Sequence, residues 1–130
     1  MSLVIIVMGL ALVQYLYFGF RVGGARERFG VKAPAVSGHE EFERVFRVQQ
    51  NTLELLVALL PSLWMFATFL SAQVAAALGL VYIIGRFVYF AGYVKDPAKR
   101  SIGFGLSFLP IAVLLIGGLY GAIRVAVTSL

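Results

Sequence analysis

Four apolar runs, each close to the length of a membrane crossing, leave this 130-residue chain few folds to choose from. Leu3 to Phe20 holds one strongly polar residue, Gln14. Thr52 to Leu70 holds one charge, Glu54, and Val74 to Val94 holds one, Arg86. Ile102 to Ile123 holds none. A helix needs about 20 predominantly apolar residues to cross the hydrocarbon core, where it satisfies its own backbone hydrogen bonds. The expected architecture is therefore an all-α integral membrane protein, one domain over residues 1–130 with four transmembrane helices. The helices are predicted at about 3–24, 40–70, 73–95 and 102–127. The first is read as a retained helix and not a cleavable leader, since no positive residue precedes it.

Composition agrees and removes several function classes. Hydrophobic residues make up 61% of the chain and charged residues 13%, against about 45–50% and 25% in soluble domains. There is no cysteine, so disulfides, thiolate metal sites and a Cys nucleophile are excluded. His39 is the only histidine, which argues against a histidine metal site or a catalytic triad. The net charge of +5 belongs to the loops expected on the cytoplasmic side, not to a nucleic-acid surface. The polar loop from Arg21 to Glu43, with Gly30, Pro34 and Gly38 as breakers, and the short basic link from Val94 to Ser101 lie at one end of the bundle. They carry seven of the eleven Lys and Arg, whereas the other end carries Arg124 alone. Loops one and three are thus expected to face the cytoplasm. The tight link around Ser71 makes an antiparallel hairpin of helices two and three.

The second helix is too polar for lipid at its start. At 100° per residue, Arg44, Arg47, Gln50, Asn51 and Glu54 fall in one arc of about 120°, and Gln49 falls opposite. Arg or Glu at membrane depth costs about 2.5–3.5 kcal/mol on insertion scales. Both sides of this helix must therefore meet protein or a wet cavity, which implies an oligomer with helix two near its centre. On helix three, Tyr82, Arg86, Tyr89 and Tyr93 recur at helical spacing and share a face. Arg86 lies about 12 Å inside the end of that helix. The tyrosines alone read equally as an interfacial aromatic belt. The glycines of helices three and four read as packing residues. Arginine forks next to a single Glu suit an anionic zwitterion with surplus carboxylates. The alternative is an internal network in which Glu54 neutralises Arg47.

The stretches FERVFRVQQNTLELLVALLPSLW and LGLVYIIGRFVYFAGYVKDPAKRSIGFGLS resemble the membrane-associated proteins in eicosanoid and glutathione metabolism, the MAPEG family. The branch resembled is that of the type-two microsomal glutathione transferases and leukotriene-C synthase. The resemblance covers Glu41 to Ser107, and the rest by hydropathy and position. It implies a homotrimer with helix two on the threefold axis and glutathione, as co-substrate, bound at each subunit boundary near the cytosolic end. It assigns glutathione binding to Arg26, Arg47, Gln49, Asn51, Glu54, Arg86, Tyr89 and Tyr93, with Gln49 coming from the neighbouring subunit, and thiol activation to Arg100. No metal is implied. The implied activity is conjugation of glutathione to lipophilic electrophiles, with lipid-hydroperoxide reduction as a companion.

Two positions depart from that pattern. Leu55 stands where close relatives carry an aromatic residue, and Glu27 stands where leukotriene-C synthase carries a second Arg, so leukotriene synthesis is not expected. The alternatives are a non-catalytic lipid-binding adaptor of the same family, which lacks the Arg kept here as Arg47, and a small transporter using Glu54.

Overall fold

The computed structural model describes all 130 residues. It contains four long helices: α1 Ser2–Phe29, α2 Glu40–Phe69, α3 Ala72–Lys95 and α4 Ser101–Ser129. A 3-10 turn, Pro97–Arg100, precedes the last. Each helix, taken with the turn for α4, is long and apolar enough to cross a membrane. Helix α1 runs to Phe29, so Arg21 to Arg28 extend it instead of opening the loop. Strong helix formers around Gly23 and Gly24 carry the turn onward. The helix stops at Gly30, whose φ of 69° is the left-handed C-cap geometry. Arg26 and Arg28 occupy its last turn, where cations complement the helix dipole.

Helix α2 starts after His39, whose Nδ1 accepts the Glu41 N–H at 3.2 Å. Glu40, Glu41 and Glu43 complement the positive end of its dipole. Two residues link it to α3, and Ser71 Oγ caps α3 by accepting the Val74 N–H at 3.2 Å. Pro61 and Pro110 lie inside α2 and α4, and both helices continue through them.

The interior divides into two apolar clusters. One joins Val7, Ala11, Leu56, Leu63, Tyr82, Ile111 and Leu114. The other joins Phe18, Val22, Phe42, Val48, Tyr89 and Phe90, towards the loop end. Four of the five buried polar residues, Gln14, Thr52, Arg86 and Ser107, come one from each helix; the fifth, Ser62, also lies on α2. Such groups are costly to bury unless they are bonded. Gln14 Nε2 donates to Ile83 O at 2.8 Å, and the Thr52 and Ser107 hydroxyls donate to carbonyls one turn back. Outside, large apolar side chains such as Phe20, Leu109 and Ile116 are exposed, as lipid-facing residues should be.

Helices α3 and α4 approach closely where glycine allows it. A side chain at Gly103 would run into the Tyr89 backbone. Gly103→Val is expected to destabilise the protein by about 2–3 kcal/mol through overpacking, and to lower its melting temperature in detergent. Gly23→Ala, where nothing lies within reach of the added carbon, is expected to melt with the native protein. Equal melting of the two variants would refute the close-contact role.

Candidate functional site

At the loop end a cavity of about 540 Å³ opens between α2, α3 and the start of α4. Arg47 and Asn51 enter it from α2, one turn apart. Tyr89 and Tyr93 enter from α3, also one turn apart, with rings stacked 5.5 Å between centres. Arg100 ends the 3-10 turn at the mouth, and Ser101, Phe104 and Gly105 add the first turn of α4. Asp96 builds that turn: its Oδ1 accepts the Ala98 N–H at 3.1 Å. Arg100 Nη1 then donates to Pro97 O at 3.1 Å, which fixes the guanidinium against the turn.

Charge in the cavity is uncompensated. The protein's one ion pair joins Arg44 to Glu40, so neither Arg47 nor Arg100 has a carboxylate partner. The internal network allowed by the wheel, with Glu54 neutralising Arg47, does not form. Two guanidiniums without carboxylate partners in one cavity are the donor set that suits an acidic small molecule.

Arg86 lies behind this wall and is fully buried. Its Nη2 donates to Asn51 Oδ1 at 3.0 Å and to Thr52 Oγ1 at 2.9 Å, and its Nε donates to Thr52 Oγ1 at 3.2 Å. The guanidinium also sits 4.3 Å from the Tyr89 ring centre, within cation–π range. Its Nη1 has no partner. The bond to Asn51 Oδ1 turns the Asn51 amide so that its NH₂ remains free to donate elsewhere.

Other predicted residues stand apart from the cavity within one chain. Arg26 donates to Ala35 O at 2.7 Å and lies 4.9 Å over the Phe42 ring, so it ties down the loop after α1. Gln49 is half-buried against Gly19 of α1. Glu54 is exposed on α2. Arg44, grouped with the site by the wheel, donates to Val94 O and Lys95 O at the end of α3 instead. There it satisfies carbonyls that the helix leaves open. Sequence reasoning missed Thr52, Ser101, Phe104 and Gly105.

A four-span helical protein with a cationic cavity at one end is the class the fold and site define. Residues 4–120 match the MAPEG family model, and the chain belongs to that family. Microsomal glutathione S-transferase 2 of Homo sapiens is 45% identical over 112 residues, covering 86% of this chain and 76% of that protein. An uncharacterized protein of Synechocystis is 45% identical over 114 residues, covering 88% and 83%. Leukotriene C4 synthase of Rattus norvegicus is 40% identical over 91 residues, covering 70% and 61%.

Proposed function

We propose that the cavity holds glutathione and that the chain is a membrane glutathione transferase acting on lipophilic electrophiles. The observation that carries this reading is the pair of guanidiniums, Arg47 and Arg100, that share one cavity and have no carboxylate partner. Glutathione offers two carboxylates, an ammonium and a thiol. Arg47 is proposed to take a carboxylate, with the Asn51 NH₂ donating to the same end of the peptide. Tyr89 and Tyr93 wall the peptide, and Arg100 faces the sulfur. The thiolate attacks the electrophilic carbon, the C–S bond forms, and the leaving group departs with its electron pair. The same thiolate attacking the terminal oxygen of a lipid hydroperoxide would break the O–O bond. That leaves a sulfenic acid on the glutathione and the lipid alkoxide, which takes a proton from water to become the alcohol. A second glutathione would then attack the sulfenic sulfur, forming the disulfide and releasing water.

The outer face of α2 supports a homotrimer. Glu43, Arg47, Gln50, Glu54, Val57, Pro61, Trp64 and Thr68 form one exposed stripe at spacings of three and four. Arg and Glu on such a stripe are too costly to leave in lipid, so copies of α2 are proposed to meet there. That packing would bring a neighbour's Arg26 and Gln49 to the cavity and set Glu54 against the ammonium. The basic loop end is proposed to face the cytoplasm.

Titrating the purified protein with glutathione in a calorimeter, and assaying conjugation to an activated aryl chloride, tests the reading. Absence of both heat and turnover would reject it in favour of a lipid-binding adaptor. Glu54→Gln is expected to weaken glutathione binding about tenfold, the loss of one charge-assisted bond, with the oligomer mass unchanged. Unaltered affinity would remove Glu54 from the site.

A further inference from the structure

One face of α1 borders two further cavities. Leu10, Gln14, Tyr17, Arg21, Ala25 and Arg28 succeed one another at spacings of three and four. Their lower members line an apolar groove of about 400 Å³ against Leu80, Ile83 and Phe87 of α3. The upper members line a polar pocket of about 180 Å³ that includes Arg21, Arg28 and Glu41. Arg21 joins the two: its Nη1 donates to the Tyr17 hydroxyl at 3.0 Å, and its guanidinium lies 4.7 Å from the Phe90 ring centre. At the groove floor Gln14 Nε2 holds Ile83 O, which fixes α1 against α3. None of these residues lines the cavity of Arg47 and Arg100.

The charges in the upper pocket do not consume one another. Arg21, Arg28 and Glu41 form no ion pair, since the protein's only pair is Arg44 with Glu40. The pocket lies where α1 leaves its apolar span, so it sits at headgroup level with the groove extending into the leaflet below it. Two guanidiniums suit a phosphate. The carboxylate of Glu41, contributed to the same pocket by α2, opposes a purely anionic headgroup and suits a primary ammonium.

We infer that this face binds an ethanolamine phospholipid. Its phosphate lies between Arg21 and Arg28, its ammonium at Glu41 and an acyl chain in the groove of Val13, Tyr17 and Phe87. A choline headgroup has no N–H to give Glu41, and a glycerol headgroup has no cation.

Native mass spectrometry of the detergent-solubilised protein, offered ethanolamine, choline and glycerol phospholipids of equal chain length, tests the inference. The wild type is expected to retain the ethanolamine lipid about tenfold over either competitor. Arg21→Gln with Arg28→Gln should lose retention of that lipid. Glu41→Gln should abolish the preference and favour the glycerol lipid. Val13→Trp, which fills the groove and spares the pocket, should lower retention with an unchanged melting temperature. Soluble phosphoethanolamine should leave bound lipid in place. Equal retention of all three lipids, an unaltered preference in Glu41→Gln, or displacement by the soluble headgroup would overturn the proposal. The glutathione titration serves as the folding control for every variant, because none of the altered residues lies in that cavity.

Discussion

Replacing Arg100 with alanine is expected to lower the turnover number for conjugation by about 10²–10³-fold, the size of effect seen when one preorganised stabiliser of a developing or resident anion is removed. The physical reason lies in the nucleophile. A free thiol has a pKa of about 8.5, so at neutral pH only a few per cent of it is thiolate. A guanidinium never gives up its proton, so it acts by favouring the anion and not as a base. Each unit by which it lowers the bound thiol pKa is worth about 1.4 kcal/mol. Its bond to Pro97 O and the turn that Asp96 caps hold Arg100 at the cavity mouth. In the proposed pose Arg47 and Asn51 hold the peptide and Arg100 faces only the sulfur, so the dissociation constant for glutathione should change by less than the turnover number does. The sign of the pH dependence follows. With Arg100 absent the thiol ionises near its ordinary range, and the rate should climb as pH passes about 8.5, whereas the native enzyme is already near its plateau. Ultraviolet absorbance of the bound thiolate measures the same quantity without turnover. An alanine variant with full activity at neutral pH would move thiol activation elsewhere, with Arg47, the other guanidinium of the cavity, as the next candidate.

Much of the fold was legible because lipid imposes a simple length rule. The four apolar runs located four helices, and the start of α2 near Glu40 followed from its polar arc. The end of α1 was hidden. Arg21, Arg26, Glu27 and Arg28 look like loop residues in a hydropathy reading, yet a helix can leave the membrane and continue in water until a left-handed glycine stops it, as Gly30 does. The angular reading of α2 put Arg47 and Asn51 on one face, and both enter the cavity. It also put Arg44 there, because a wheel records direction and not the position of neighbouring chain ends. Arg44 lies one turn nearer the end of α3, whose open carbonyls claim it. Thr52 could have been found only by asking what neutral acceptor a buried Arg86 would use. Ser101, Phe104 and Gly105 carry no charge and look like ordinary α4 residues until the 3-10 turn folds them towards Tyr89 and Tyr93. Arg26, Gln49 and Glu54 do not line the single chain's cavity, so their part rests on the proposed packing of neighbouring subunits.

Arg86→Met is expected to separate stability from binding. A buried cation with one unpartnered nitrogen is a poor stabiliser: exchanging buried ionic groups for well-packed apolar ones is often neutral or stabilising by about 1–4 kcal/mol. The neighbours can accept the loss. Thr52 Oγ1 keeps its bond to Val48 O at 2.7 Å, and Asn51 is only half-buried, so its freed oxygen can reach water. The melting temperature of the unliganded protein should therefore hold or rise. Glutathione binding should weaken about 10²-fold, because truncating a buried, hydrogen-bonded charge behind a binding surface costs about 2–5 kcal/mol. Arg86 acts through Asn51, whose amide it orients. Combining Arg86→Met with Asn51→Ala should accordingly weaken binding little more than either change alone, a non-additivity expected of residues in one network. Saturating glutathione should raise the melting temperature of the wild type by mass action, and the same concentration should raise that of Arg86→Met far less. If Arg86→Met instead melts lower and binds glutathione normally, Arg86 is a packing residue. The polar layer of Gln14, Thr52, Arg86 and Ser107 would then serve helix association and not the cavity.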